Sequence, residues 1–585
     1  MWPLRPPPSN DAARRGGTSK KKTLKKLPIG ISDFTKVREE DRYFVDKSLL
    51  IKEIIDEEAE IALLPRPRRF GKTLNLSMLK CFFEKRGDKD RKRALFRGLR
   101  VEKDPDFDRH FFKYPVIYLT FKDVKALDFE NAFEAIRMLL ADEFQRHADL
   151  LDSDRVSRMD KDRIENIIYM QAAPAACQRA LKDLSACLHR HHGEKPLILI
   201  DEYDSPIHAA YSGDYYEEII DFFRSFLSAG LKDNPHIHKG VLTGILRVAK
   251  ESIFSDMNNL SVYSVLSGKF SDKFGLTEKE VEELLRHHGL EKEEETVKAW
   301  YNGYIFKENV IYNPWSIINY VSNISDGPKA YWANTSSNRL IKDLVQNAPY
   351  PFKEEMRDLL KDIPVEKRVE ENVVFEDLGK DDVAIYSFLV FCGYLNAFDT
   401  RHVENEYWGK LLIPNLEVKL IFKNIILQWI NESYENHKLT AMLKALTGAD
   451  VKTFEKILGD FVLETLSYFD TAGKSVEKVY QAFILGLLVN LAPEYEVNSE
   501  KESGYGRYDI SVIPKDKNAT AVVMELKTID SDETKDQALE SALGQIEEKQ
   551  YAAAVMKSGV KDVLRLAVVF DGKRAWARES SPATV

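Results

Sequence analysis

Gly71, Lys72 and Thr73 close the stretch RPRRFGKT at residues 66–73. A bound polyphosphate asks for backbone N–H groups converging on its oxygens, a Lys that reaches the outer phosphates, a hydroxyl for Mg²⁺ and a helix N-terminus aimed at the anion. These residues supply the second half of such a loop at the right spacing, while Arg66 holds the place of its opening glycine. Taken alone, GKT also fits an ordinary cationic turn. The acidic pair Asp201 and Glu202 strengthens the phosphate reading, because it ends the apolar run 197–200 at the strand end where open α/β sheets bind ligands. There Asp201 is suited to hold Mg²⁺, directly or through water, and Glu202 to polarise an attacking water. In the run KGVLTGI, Thr243 lies near the same edge, placed to sense a γ-phosphate, and Arg247 follows it. A Thr at a strand end also serves as a plain cap.

A second constellation lies far downstream. Glu525 and Lys527, in VVMELKT, are two residues apart and share one face of a strand. Asp509, in GRYDISVI, precedes Glu525 by 525 − 509 = 16 residues, a separation suited to adjacent strands joined by the polar loop PKDKNAT. Phosphodiester hydrolysis uses carboxylates that hold one or two Mg²⁺ ions and a cation that positions or deprotonates the attacking water. E-x-K is frequent on solvated strand faces, but here Val522, Val523, Met524 and Leu526 surround Glu525. A charge in such company costs free energy unless it serves a site or is neutralised. Gly504 and Gly506 permit tight backbone before Asp509, and Gln545 on the following helix suits a supporting or DNA-facing position.

The elements that must carry these residues follow from periodicity. Strand-like runs EIALL (60–64), PVIYLTF (115–121), PLILIDE (196–202) and KGVLTGI (239–245) alternate with amphipathic stretches, and their continuous apolar character predicts a parallel sheet covered on both faces. This α/β domain is expected over 27–270. A mostly helical connecting domain follows at 271–460, starting with a capping box at Thr277 and Glu280 and interrupted by the aromatic segments WYNGYIF and YNPWSIINYV, read as core. A small α/β unit is expected over 461–578. Residues 1–26 carry eight Lys and Arg against one acid and read as a disordered basic tail.

Composition narrows the function classes. The 585 residues carry a net charge of −9, so nucleic-acid contact would come from local basic patches rather than a global positive field. Cys81, Cys177, Cys187 and Cys392 lie far apart without a C-x-x-C pair, which argues against a zinc site or disulfide framework and for buried thiols in a reducing compartment. No apolar run approaches the roughly 18 residues of a membrane span, and no membrane partner is expected.

The blocks LPIGISDF, YFVDKSLL, RPRRFGKTLNLSML, LILIDEYDSPI, TGILRVAKESIFSDMNNL and YNPWSIINY resemble, in order, the signature blocks of AAA-ATPase-like proteins that carry a PD-(D/E)XK nuclease domain at the C-terminus. The resemblance covers nearly the whole chain after Lys26 and makes Arg66 in the loop a habit of the group. It implies a P-loop NTPase at 27–270 with a catalytic Glu beside a Mg²⁺-binding Asp, which falls on Glu202 and Asp201, and a restriction-endonuclease-like fold at 461–578. It also implies that Glu477, in SVEKVYQAF, supports the nuclease metal beside Asp509 and Glu525; relatives often carry His in that helix, where this chain has Gln481. Pro65 and Pro67 stiffen the loop, so fewer N–H groups are expected to wrap the phosphates, with charge from Arg66, Arg68 and Arg69 instead.

The resulting expectation is an ATP-binding and ATP-hydrolysing protein coupled to a Mg²⁺-dependent nuclease. Its cofactors are ATP and Mg²⁺, its partner is nucleic acid with DNA favoured over RNA, and a homo-oligomer is open. The compartment is cytoplasmic, or nuclear if the basic tail belongs to a eukaryotic protein. The alternative is a nucleotide-gated module that binds nucleic acid or protein with an inactive nuclease-like domain. A small-molecule kinase fits less well, given the long gap from Lys72 to the Asp201-Glu202 pair.

Overall fold

The computed structural model describes residues 24–213, 215–248, 253–254, 257–332 and most of 341–580. The first 23 residues of the basic tail, Gly504 and the run 466–479, with Glu477, lie outside the described residues, as does Gln481. The chain divides into two compact units, Met1–Tyr331 and Trp332–Val585.

In the first unit, β1 (Ile61–Pro65), β2 (Val116–Thr120), β3 (Leu197–Asp201), β4 (Lys239–Gly244) and β5 (Leu260–Val262) form one sheet in the order β2-β3-β4-β1-β5. Every neighbouring pair is parallel. β1, β3 and β4 are buried along their whole length, as their unbroken apolar runs require when helices cover both faces. Those helices include α1 (Lys72–Phe83), α2 (Phe129–Arg146), α3 (Pro174–His192) and α4 (Tyr216–Leu231). Because β4 is inserted between β1 and β3, the C-terminal ends of three adjacent strands lie side by side. They carry the glycine-lysine loop, Thr243 and Asp201. β5 is a three-residue, half-exposed edge strand, too short to leave a periodic signal.

The same unit continues into a small antiparallel sheet of β6 (Leu276–Thr277), β7 (Tyr304–Phe306) and β8 (Asn309–Tyr312), ordered β6-β8-β7. Thr277 and Glu280 form the expected capping box of α5 (Glu278–His288). The aromatic segments supply β7 and α6 (Pro314–Ser322), and most of their rings are core: Tyr301, Tyr304, Phe306, Tyr312 and Tyr320 are buried. Phe70, beside Gly71, packs on Tyr304 and Phe306 with centroids 5.0 and 5.3 Å apart.

The second unit opens with helices and with an antiparallel sheet that helical periodicity did not reveal: β9 (Val365–Arg368), β10 (Asn396–Val403) and β11 (Glu406–Leu412). Beyond α7 (Asn436–Thr447) and α8 (Val451–Thr465) lies a five-stranded mixed sheet. Its strands β12 (Tyr495–Ser499), β13 (Ile510–Pro514), β14 (Ala521–Thr528), β15 (Val563–Asp571) and β16 (Arg574–Glu579) follow one another in space as in sequence. Only β14 and β15 run parallel, joined across α9 (Lys535–Glu548) and α10 (Tyr551–Met556).

Alternation sorts this sheet into two covered faces. Val522, Met524 and Leu526 pack with Ile510, Val512, Phe461 and Tyr480. Ala521 and Val523 pack with Ile546 of α9 and Tyr551 of α10. Period 2 therefore turns Glu525 and Lys527 toward α9 and α10. Among the described residues no helix is long and apolar enough to cross a membrane, and the four cysteines are buried without a disulfide.

Candidate functional site

The loop after β1 turns directly into a helix N-terminus. Gly71 caps α1 in the left-handed region at φ 84°, and Arg69 shares that conformation at φ 70°. The N-terminus of a 12-residue helix therefore opens on the loop, with its free N–H groups and positive dipole end. Lys72 is buried, and its Nζ donates to the carbonyls of Arg66 (3.0 Å) and Pro67 (3.1 Å). Burial lowers its pKa, against the opposing charges of Glu202, Asp201 and Asp204.

Asp201 is the centre of the arrangement. Its side chain is fully buried. Oδ2 accepts from the Thr73 hydroxyl at 2.7 Å, and Oδ1 from the Thr243 hydroxyl at 2.7 Å. Burial raises its pKa, while the two threonine hydrogen bonds and Lys72 act the other way. Neighbouring Glu202 is half-buried and holds φ 50°, a conformation that costs a non-glycine residue about 1–3 kcal/mol and is typical of functional sites. The geometry thus gathers Gly71, Lys72, Thr73, Asp201, Glu202 and Thr243 at one edge.

Three arginines separate in role. Arg66 does not face the loop interior, contrary to the expectation that it lends charge to phosphates. It is fully buried, and its guanidinium donates to the carbonyls of Pro65 (2.7 Å), Tyr263 (2.5 Å) and Phe270 (3.1 Å). It also lies 5.0 Å from the Phe274 ring and 5.5 Å from that of Phe306. Burial pushes its pKa down to about 9. Arg66 is a strut that fastens the segment after β5 to the loop. Arg69 is exposed and stacks on Trp315 of α6, 4.3 Å from the ring centroid. Arg247 is half-buried, with Nε lacking a partner among the described residues.

Asp204 escaped sequence reasoning. It is buried, and its Oδ2 accepts from the N–H groups of Ile245 (2.7 Å) and Leu246 (3.0 Å), with His208 Nε2 at 3.3 Å. Burial acts to raise its pKa, but His208 and the two N–H groups outweigh it and leave the carboxyl below its ordinary range. Asp204 thereby ties β3 to the chain leaving β4. The doubled acid in DEYD was the available signal.

In the second unit the antiparallel pairing of Ile510 with Met524 places Asp509 opposite Glu525. Asp509 Oδ2 accepts from the Leu526 N–H at 2.8 Å, pinning its carboxylate between the positions of Glu525 and Lys527. Glu525 is 3% exposed. Lys527 Nζ donates to Ser541 Oγ of α9 at 2.5 Å. Sequence reasoning missed Tyr551, which reads as one more core aromatic. It is fully buried, and burial raises its pKa, with the charges of Glu525 and Asp509 adding to the shift and a hydrogen bond from Gln545 opposing it. Gln545 therefore reaches the site through this phenol.

Two carboxylates facing each other across a ladder, one of them nearly inaccessible, repel and are costly to bury. An oxygen-liganded divalent cation relieves both effects, so this donor set fits such an ion. At the nucleotide end, the hydroxyl of Thr73 and the carboxylate of Asp201, one turn from a helix N-terminus, fit a Mg²⁺-bound polyphosphate.

The fold is an α/β domain of the P-loop type joined to a small mixed-sheet domain that carries Asp509, Glu525 and Lys527. Residues 28–254 match the family described as Predicted AAA-ATPase, and residues 475–580 match the PD-(D/E)XK nuclease superfamily. One chain thus carries matches to a predicted AAA-ATPase domain and, toward its C-terminus, to a PD-(D/E)XK nuclease domain. It is also similar to a protein of Azotobacter chroococcum mcd 1 described as an uncharacterized protein in the vnfD 5' region, with 29% identity over 412 residues that span 69% of this chain and 70% of that one. At the level of family, the two domains are those of ATPases and nucleases, which generally use a nucleotide and a divalent metal ion.

Proposed function

We propose that this chain binds and hydrolyses ATP at the C-terminal edge of its parallel sheet and that the nucleotide governs Mg²⁺-dependent cleavage of nucleic acid, DNA in preference to RNA, by its C-terminal domain. The observation that carries the reading is the placement of Asp509 opposite Glu525 with Lys527 on the same strand face. It keeps every side-chain type that phosphodiester hydrolysis needs within one strand pair.

In the nucleotide half, Lys72 exchanges the carbonyls of Arg66 and Pro67 for the outer phosphates, and the α1 N–H groups hold the remaining oxygens. Thr73 and Asp201 hold Mg²⁺, with Thr243 fixing the orientation of the Asp201 carboxylate. Glu202 orients the attacking water. Arg69 and Arg247 contribute positive charge at the mouth of the loop.

In the nuclease half, Asp509 and Glu525 are the metal-holding carboxylates, with Glu477 as the third expected from the resemblance. Bound there, the ion polarises the scissile phosphate and lowers the pKa of a water. Lys527, as an ammonium, would position that water and stabilise the negative charge that develops on it. Tyr551 and Gln545 fix the surroundings of Glu525. The test is cleavage of DNA and RNA panels by the full chain with Mg²⁺ or Mn²⁺. Asp509→Ala and Lys527→Ala are expected to abolish cleavage while ATP binding survives; equal cleavage by the variants would assign the activity elsewhere.

A further inference from the structure

Six of the chain's 12 histidines gather at the edge of the parallel sheet opposite the nucleotide end. His110 lies ahead of β2, His236 and His238 lead into β4, and α3 ends in His189, His191 and His192 before β3. They form close groups: the Nδ1 atoms of His189 and His236 are 3.2 Å apart, and His238 stacks on Tyr114 with centroids 4.6 Å apart. Five strand residues, about 15 Å, separate this edge from Asp201.

Within it, one oxygen of Asp149 and one ring nitrogen each of His191 and His192 all lie within 4.8 Å of one another. His191 Nε2 stands 3.8 Å from Asp149 Oδ2. Two neighbouring contacts set the donors. The other ring nitrogen of His191 hydrogen-bonds Ser153 Oγ at 2.7 Å, which fixes the ring and leaves Nε2 toward Asp149, the usual support of a metal-bound imidazole. Arg86 lies 3.5 Å from Oδ1 of Asp149, the oxygen turned away from His191. The two imidazoles stand nearly at right angles, at 84° with centroids 4.5 Å apart, so they present their lone pairs along different directions.

We propose that Asp149, His191 and His192 form a site for a divalent transition-metal ion of the zinc type, distinct from the Mg²⁺ positions of the nucleotide and nuclease centres. Imidazole nitrogens with one carboxylate suit Zn²⁺, Co²⁺ or Ni²⁺, whereas Mg²⁺ demands oxygens. Three protein ligands leave the fourth tetrahedral position to water. With zinc–ligand bonds of about 2.0–2.1 Å the donor atoms close to about 3.4 Å apart, a movement shared by the exposed Asp149 side chain and the half-buried His192 ring. The ion joins the turn at Ala148–Asp152 to the end of α3 and stabilises the unit by mass action.

The experiment uses the untagged full chain, stripped with chelator, with Zn²⁺ followed by titration calorimetry and thermal unfolding and Co²⁺ by its visible absorption. One zinc per chain is expected to bind with a rise in melting temperature that Mg²⁺ does not reproduce and that persists in Asp509→Ala. Replacing both histidines, His191→Gln with His192→Gln, abolishes uptake, and Ser153→Ala weakens it about tenfold. If the double variant misfolds, Asp149→Asn, at an exposed position, must reproduce the loss. Unchanged stoichiometry and affinity in either variant, or no zinc uptake by the wild-type chain at micromolar concentrations, overturns the assignment.

Discussion

Replacing Arg66 with Met separates two roles for the residue that occupies the loop's glycine position. The guanidinium donates to three main-chain carbonyls, those of Pro65, Tyr263 and Phe270. Hydrogen bonds from a charged donor are worth about 1.5–3 kcal/mol each, so the loss of three removes about 4.5–9 kcal/mol. Against this, burial holds the pKa down to about 9, and that depression below the ordinary arginine range corresponds to about 5 kcal/mol of charge burial that Met recovers. The net expectation for Arg66→Met is a stability loss of about 2 kcal/mol, within a range from near zero to about 4. The ATP affinity of the folded fraction changes by less than about threefold, or 0.7 kcal/mol. Urea unfolding is read on the transition that ATP shifts, because only the unit that binds the nucleotide responds to it, and affinity is measured by calorimetry. A variant as stable as the wild type to within about 0.5 kcal/mol, yet about 100-fold weaker for ATP, would make Arg66 a phosphate ligand and refute its role as a strut.

Lys72→Ala removes the ammonium at the head of α1 and is expected to weaken ATP binding by about 30–150-fold, the worth of a charge-assisted contact of 2–3 kcal/mol, as titration of a fluorescent ATP analogue would measure. Glu525→Gln removes one of two facing carboxylates; at a separation of about 5 Å and an effective dielectric constant near 20, their repulsion is about 3 kcal/mol. The metal-free variant should therefore melt no lower than the wild type, and it should lose the rise in melting temperature that Mn²⁺ gives; a lower melting point with the Mn²⁺ response intact would contradict the site. Burial lowers the pKa of His238, with Lys239, His110 and Lys195 acting in the same direction and Glu194 opposing. A depressed imidazole contributes stability that is present above about pH 6.5 and lost as pH falls below it, so His238→Gln should flatten the acid limb of a melting-temperature profile between pH 7 and about 5.

The legible parts of this molecule were those written locally. Unbroken Ile, Leu and Val runs gave β1 to β4 within a residue or two at their ends, because strands buried on both faces cannot alternate. GKT and the acidic pair at the end of β3 drew attention to Thr73 and Asp201, and the structure joins them by one hydrogen bond across 128 residues of chain. The spacing of Asp509 from Glu525 anticipated adjacent strands, and the register shows the two strands paired antiparallel. What stayed hidden was set by tertiary contacts. Two of the three carbonyl partners of Arg66 lie 197 and 204 residues away, and nothing near Arg66 announces that its charge is turned into the core. Tyr551 looks like an ordinary core aromatic until the fold brings it beside Glu525 and Asp509. β9 to β11 carry short, mixed patterns with many exposed positions, so helical period dominates that region.

The central claim, that nucleotide state governs metal-dependent cleavage, is tested most directly by single-turnover cleavage of DNA by the full chain in Mg²⁺, with and without ATP, in the wild type, Lys72→Ala and Asp509→Ala. The expected result is an ATP-dependent rate in the wild type, a rate indifferent to ATP in Lys72→Ala, and no cleavage in Asp509→Ala. Cleavage that survives in Asp509→Ala, or an ATP response that persists undiminished in Lys72→Ala, would contradict it.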